Sequence, residues 1–272
     1  MPEWNDRGII LSVRPHAETA AIVNILTEEH GRHAGLVRGG QSSKMRGLLQ
    51  PGNLVDVYWR ARLEEHLGSM TFDLVKPYAS NVLDDPFRLA GLASVCAIME
   101  AALPEREPAG GVYEATDLIV QMITNLDVIE GGFGDHWLGG YIRWEIGMLG
   151  VAGYALDLNR CGVTGETDGL VYVSPRTGVA VTAAGAGVHA PRLLPLPSFL
   201  GGESEKTLEE DLLDGMELTG HFLEKKVFGL QHQPLPPARQ RLIDIARKRL
   251  ARERLSADDQ ATEGDDFSSE VE

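Results

Sequence analysis

Between Leu54 and Leu63 the chain alternates sides more regularly than anywhere else in its first 80 residues. Val55, Val57, Trp59 and Ala61 fall on one side of an extended chain, and Asp56, Tyr58, Arg60 and Arg62 on the other. A period of two belongs to a half-buried strand, because a helix would scatter both sets around its axis. Gly8–Arg14 alternates too, with Ile9, Leu11 and Val13 on one face and Ile10, Ser12 and Arg14 on the other. Ala20–Thr27, His33–Arg38 and Ser69–Val75 add three more short runs separated by glycine-containing turns. Five short strands within 80 residues predict a small closed barrel. A five-stranded OB barrel is the expected form, with an SH3-like barrel as the alternative.

From residue 83 the period becomes helical. Asp84-Asp85-Pro86 supplies an N-cap followed by proline in the first turn. Leu89, Leu92, Cys96, Met99 and Leu103 then line one helix face. Val112–Leu126 predicts a second helix, with Ala115, Ile119, Met122 and Leu126 in line. Trp137, Tyr141, Trp144 and Met148 mark a third. Residues 153–200, rich in Gly, Pro and Thr, break the pattern and hold two strand-like runs, Leu170–Val173 and Val179–Thr182. Helicity returns over Leu208–Leu223, and again after Pro236-Pro237 through about Arg254. The expected layout is therefore a barrel at 1–80, a helical domain at 81–254 with an insert at about 153–200, and an acidic tail at 255–272 that lacks a core.

Composition narrows the function classes. With 43% hydrophobic residues the chain of 272 can bury a core, so wholesale disorder is excluded. No run of 18 apolar residues is present, so a spanning helix is not expected. The N-terminus lacks the basic and apolar stretches of a secretory signal. With two cysteines, Cys96 and Cys161, a disulfide framework is impossible, which fits a reducing cytoplasm. The net charge of −15 is unevenly spread. Residues 1–80 hold nine Lys/Arg and nine Asp/Glu, whereas 256–272 hold seven acids and no base. Residues 238–254 hold seven bases and two acids. The overall acidity therefore says little about what the first third touches.

The outward side of the Leu54–Leu63 strand, with Tyr58 between Asp56 and the two guanidinium groups of Arg60 and Arg62, suits single-stranded nucleic acid. A base stacks on the ring while arginine meets phosphate. The plain alternative is an exposed strand carrying Tyr and Arg for solubility and propensity. The segment Arg38–Gly47 offers Arg38, Lys44 and Arg46 with flexible backbone suited to phosphate oxygens. It is not a P-loop, because Ser43 stands where the glycine before the lysine is needed. A solvated turn is the alternative. His30-Gly31-Arg32-His33 reads as a turn, not a metal site. Cys96 reads as core. Cys161 has threonine, not cysteine, at 164, and one thiol cannot hold zinc tetrahedrally. In the basic stretch after Arg239, Arg241, Lys248 and Arg252 share a face that suits phosphate or an acidic peptide, or the chain's own 256–272 segment. No nucleophile–base set or cofactor motif is present, so the chain reads as a binder and not an enzyme.

Taken together these residues resemble the RecO family. The resemblance runs through Gly8-Ile9-Ile10-Leu11, Glu18, Ile25-Leu26-Thr27, His30-Gly31-Arg32 and Gly35–Gly40. It continues in Leu156–Cys161, Val163-Thr164-Gly165, Val173–Gly178, Leu193–Pro197, Gly220–Leu223 and Pro234–Arg241, covering roughly residues 5–245. It implies an α+β multidomain protein with an N-terminal OB-fold barrel and a mainly α-helical C-terminal domain. It also implies a cytoplasmic, nucleoid-acting mediator of DNA repair and recombination. Such a protein binds single- and double-stranded DNA and anneals complementary strands. With RecR, and in some pathways RecF, it loads RecA on strands coated by single-strand-binding protein (SSB). Arg14, Arg32, Arg38, Lys44, Arg46, Tyr58, Arg60 and Arg62 are then the expected DNA contacts, and Arg241, Lys248 and Arg252 the expected seat of the SSB tail. Many members hold zinc with four cysteines. Here only Cys161 remains, so the insert is expected to be a degenerate, metal-free zinc-finger-like unit. For the contacts to work, the bases of the barrel must gather on one face. A peptide-binding scaffold without DNA contact, and a hydrolase with its site in 153–200, are the two readings from other classes.

Overall fold

The computed structural model describes residues 1–125, 136–249 and 251. Strand β1 (Glu3–His16) pairs antiparallel with β2 (Ala20–Thr27) on one side and with β4 (Leu54–Arg60) on the other. β3 (Gly31–Val37) follows β2, and β5 (Ser69–Lys76) pairs antiparallel with β4. One parallel pair, Leu36 beside Ser69, closes the barrel in the order β1-β2-β3-β5-β4. That is the expected five-stranded OB arrangement. It carries a short helix, α1 (Ser43–Leu48), where the sequence suggested only a flexible loop.

β1 departs from simple alternation. Its register against β2 shifts between Ile10 and Ser12. An extra residue in one strand flips the parity of everything beyond it. Ile10 and Val13 therefore both pack inside the barrel, with Val23, Ile25, Val57, Trp59 and Met70. Ile9 and Leu11 join Leu26 and Leu54 in a second cluster shared with the helices. Ser12 and Arg14 turn the same way and reach Glu100. The expected split of Ile9, Leu11 and Val13 from Ile10, Ser12 and Arg14 thus holds only up to the bulge.

α2 (Pro86–Ala102) begins as the sequence predicts: the Asp85 carboxylate accepts from the Phe87 and Arg88 amides, with Pro86 in the first turn. Its burial is not a single stripe. Phe87, Ala90, Val95 and Ile98 are buried while Leu89 is 37% exposed, because α2 packs against β1 and also contributes to the core with α3 and α4. α3 (Val112–Thr124) buries Val112, Thr116, Ile119 and Ile123, so Ala115 faces solvent; Leu126 lies outside the described residues. α4 (His136–Val151) buries Trp137, Tyr141, Trp144 and Met148 as expected.

The insert is a small three-stranded sheet in the order β7-β6-β8: β6 (Leu170–Val173), β7 (Ala180–Thr182) and β8 (Leu194–Pro195). A one-turn helix, α5 (Ala183–Ala186), follows β7. Cys161, Leu170, Val173, Ala180 and Leu196 pack on Leu218, Phe222 and Phe228. The last two belong to α6 (Leu208–Phe222) and the π-helical turn Leu223–Phe228 that continues it. α6 opens on a Thr207/Glu210 capping box. A final helix, α7, spans residues 237–249.

One buried ion pair fastens α7. Arg239 donates from Nε to Glu145 Oε1 at 2.7 Å and from Nη2 to Glu145 Oε2 at 2.9 Å, both side chains being almost fully buried. The Tyr141 hydroxyl donates to Glu145 Oε1 at 2.8 Å, and Arg239 Nη2 also reaches the Met216 carbonyl at 2.7 Å. Arg239, which the sequence placed at the head of a solvated basic helix, is therefore a core residue. Removing one partner strands a buried charge, so Arg239→Ala is expected to cost about 3–5 kcal/mol. Pairing Arg239→Met with Glu145→Leu should recover much of that loss in urea-unfolding midpoints, because no lone charge is then left.

Candidate nucleic-acid interface

The barrel's closure decides where a groove can form. β3 and β5 meet at Leu36 and Ser69, with the Leu36 amide donating to the Gly68 carbonyl at 3.1 Å. Beside this junction lies a cavity of about 490 Å³. Val37, Met45, Met70 and Phe72 give it an apolar floor, and Arg38, Tyr58, Arg60, Ser69 and Thr71 a polar rim. Arg38 follows directly on β3, Tyr58 and Arg60 lie on the outward side of β4, and Met45 comes from α1. Lys44 and Arg46 flank Met45 on α1 and are exposed. Five of the eight sequence-predicted contacts, Arg38, Lys44, Arg46, Tyr58 and Arg60, are thus on this groove or on the helix that walls it.

The other three sit elsewhere. β4 ends at Arg60, so Arg62 belongs to the following bend and is not on the strand. Arg14 pairs with Glu100 of α2 at 2.6 Å. Ser12 Oγ and Asn24 Nδ2 donate to the same carboxylate oxygen at 2.7 and 3.0 Å. Arg32 donates from Nε to the Leu103 carbonyl at 2.8 Å and faces Glu105 at 3.3 Å. Arg14 and Arg32 therefore fasten the barrel to the helices, and both line a separate cleft of about 550 Å³ with Gln231 and Gln233. Of the partner-binding residues, Arg241 and Lys248 are exposed on α7, and Arg252 lies outside the described residues.

Charge changes sign along β4. A cavity of about 470 Å³ beside the groove is lined by Asp6, Glu28, Asp56 and Asp73, with Arg7 held to Asp56 at 3.0 Å. Tyr58 and Thr71 line both cavities. The segregation of bases is therefore local: the Arg60 end of β4 is positive and the Asp56 end negative. Tyr58 marks the boundary. Its hydroxyl donates to Glu3 Oε2 at 2.6 Å, and that bond to a carboxylate, with burial second, raises its pKa. The same bond fixes the direction of the ring.

Sequence reasoning missed an aromatic cluster at the Trp59 end of the barrel. Trp4 stacks on His30 at 4.2 Å between ring centres and on Trp59 at 5.5 Å, and His33 meets both indoles edge-on. His30 Nδ1 lies 2.8 Å from Asp6 Oδ2. His33 is 4% exposed and neither ring nitrogen has a hydrogen-bond partner. Burial, reinforced by the charge of nearby Arg106 and by His30, pushes its pKa down to about 4. Only Trp59 was legible as core; His30 and His33 are contiguous with a turn, and nothing local announces that they share a cage with Trp4.

The insert does not offer a zinc ligand set. Cys161 Sγ accepts from the Thr164 and Thr182 amides at 3.3 and 3.4 Å. Burial raises the thiol's pKa, but hydrogen bonding with the Thr164 side chain first, and then with the Thr164, Thr182 and Val163 amides, outweighs it and holds it at about 6. Position 164 presents a hydroxyl already donating to Glu166 at 2.8 Å, and the Ser174–Gly178 turn presents the hydroxyls of Ser174 and Thr177 and the Arg176 guanidinium, with no thiol or imidazole. Structural zinc is held by thiolates and imidazoles, and one thiolate among hydroxyls does not fit it.

Comparison with known proteins settles the family. Residues 1–78 match the family model described as Recombination protein O N terminal, and residues 83–234 match Recombination protein O C terminal. The chain belongs to the RecO family. It is 48% identical to DNA repair protein RecO of Rhodospirillum centenum, over 90% of this chain and 95% of that one. It is 45% identical to DNA repair protein RecO of Rhodospirillum rubrum, over 93% and 100% of the two chains. The RecO protein of Jannaschia sp. is 44% identical over 92% of this chain. Membership places the chain in DNA repair and recombination. No helix among the described residues is long and apolar enough to cross a membrane.

The buried His33 gives stability a defined pH dependence. Its folded pKa of about 4 lies below the ordinary 6.5, so the unfolded chain takes up the proton first as pH falls. Its share of stability is complete above 6.5 and is lost progressively down to about 4. Urea midpoints measured across that window are expected to fall, and His33→Leu should flatten the slope there.

Proposed function

We propose that this RecO protein binds single- and double-stranded DNA without reading sequence and anneals complementary strands. With RecR, and in some settings RecF, it helps load RecA on SSB-coated DNA. The observation that supports this most directly is the groove at the β3–β5 seam, where two guanidinium groups and a tyrosine ring surround an apolar floor. Arg38 and Arg60 meet phosphate oxygens, and Lys44, Arg46 and Arg62 extend the positive track along α1 and past the end of β4. Such contacts position a strand without carrying sequence information. Tyr58 presents a ring whose tilt Glu3 holds, and Met45 and Met70 offer soft surface for an unpaired base. The acidic end of β4 repels phosphate, so a strand crosses the barrel over the Arg60 end and does not run the length of β4. Neutralising phosphates on two strands lowers the repulsion that opposes their pairing.

The groove is lined by no carboxylate, imidazole or thiol. That supports a role in binding and pairing, not bond cleavage. The exposed Arg241 and Lys248, with Arg252, supply positive charge for the acidic SSB tail. The insert works without metal: its side chains pack on α6, and the cysteine that remains is satisfied by amides. The place of action is the cytoplasm, at the nucleoid.

Binding of a fluorescent single-stranded oligonucleotide across a salt series tests the reading. Affinity is expected to fall steeply with salt, and Arg38→Ala or Arg60→Ala should each weaken binding and reduce the slope of log K against log salt by about one. Tyr58→Ala should lose about 1–3 kcal/mol, whereas Tyr58→Phe, which keeps the stacking face but frees it from Glu3, should lose less. Salt-insensitive binding, or none, would instead support a peptide-binding scaffold. Metal analysis of the purified chain is expected to show no stoichiometric zinc, and a chelator should leave thermal unfolding unchanged.

A further inference from the structure

Residues 256–272 hold seven acids and no base, and among them stands Asp265-Asp266-Phe267. This segment lies past the residues matched by the family's C-terminal model, which end at 234. We propose that it docks in the chain's own groove at the β3–β5 seam, with Phe267 on the floor of Met45, Met70 and Phe72 and Asp265 and Asp266 against Arg38 and Arg60. Docked there, the tail competes with nucleic acid for the same surface. That consequence rests on the nucleic-acid reading of the groove; the docking itself does not.

Charge complementarity joined to an apolar seat points to the groove. On α7, Arg239 is buried against Glu145, Arg247 meets Glu217 at 3.0 Å and the Arg249 guanidinium lies over the Phe87 ring, which leaves the exposed Arg241 and Lys248. Arg14 and Arg32 are answered by Glu100 and Glu105. Arg38, Lys44, Arg46 and Arg60 form no ion pair among the described residues, so their positive field is open to an outside acid. The floor supplies what the charges alone do not. Val37, Met45, Met70 and Phe72 make an apolar seat between two arginines, and the tail's one aromatic residue directly follows two carboxylates.

Reach allows it. α7 runs to 249, where Arg249 sits 5.3 Å from the ring centre of Phe87, at the start of α2. β5 runs from Ser69 at the groove to Lys76, a short connection before α2, so the tail has about the length of this strand to cover beyond that point. The 18 residues from 250 to 267 span up to about 60 Å when extended. A compact chain of this length has a radius of gyration of about 18 Å, so it is about 50 Å across. Tethering also gives the tail an effective concentration on the order of millimolar, so a weak contact suffices.

Two measurements on the full chain test this. First, a benzophenone-bearing amino acid is placed at position 267, irradiated, and the cross-linked peptides are mapped. Cross-links to peptides containing Met45 or Met70 are expected; cross-links confined to other surfaces, or none, overturn the docking. Second, single-stranded oligonucleotide affinity is compared for the parent and Phe267→Ala, a change that leaves net charge untouched. A gain of about threefold or more is expected. No gain, in a chain that binds the oligonucleotide, overturns the competition. Asp265→Asn/Asp266→Asn alone raising affinity, with Phe267→Ala silent, would reduce the tail to general repulsion and also overturn it. Groove cross-links in a chain that binds no oligonucleotide would uphold the docking and sink the nucleic-acid reading.

Discussion

The architecture depends on β1 being buried on two sides at once. Three consecutive residues, Ile9, Ile10 and Leu11, are removed from water, which no strand with one solvent face permits. Ile10 belongs to the barrel interior and Ile9 and Leu11 to the helical core, so a single strand is shared by both. The bulge before Ser12 then turns Ser12 and Arg14 toward the helices, where Glu100 gathers them with Asn24. Barrel and helices are thereby joined through apolar packing capped by a charged cluster.

This junction draws on the same residue types that a nucleic-acid surface needs. Arg14 and Arg32 are arginines on barrel strands, like Arg60, yet each is answered by helix α2 or by the residues just after it. What separates these arginines from those at the β3–β5 seam is whether an ion-pair partner lies within reach. Arg14 and Arg32 have one, and Arg38 and Arg60, which line the groove, form no ion pair among the described residues. Further along the barrel, Asp56, Asp73 and Glu28 make the adjoining surface acidic, so the positive surface is local and not a broad basic face.

Much of this was legible in the sequence because the signals are local. The period-two run of β4 fixed which side chains point outward, and Tyr58 and Arg60 are where alternation puts them. Asp85-Pro86 announced the start of α2, and Trp137, Tyr141, Trp144 and Met148 marked one buried face of α4. The misses are all non-local. Leu89 was assigned to a core stripe because α2 was imagined with one neighbour, when it has neighbours on two sides. Arg239 was assigned to solvent because its partner, Glu145, lies far along the chain. The cage of Trp4, His30, His33 and Trp59 is drawn from β1, β3, β4 and the turn that leads into β3, and no window of sequence contains it.

By itself, then, the sequence determined the order of barrel and helices, the outward side of β4, the helix starts and the likeness to the RecO family. Those properties follow from backbone periodicity, capping and the order of short motifs, which act over a few residues or are read along the chain. Only the tertiary structure decided which arginines line the groove and which hold barrel to helices. Charge on a surface is a sum over neighbours in space, and β5 and β3, or β1 and α2, become neighbours only when the barrel closes.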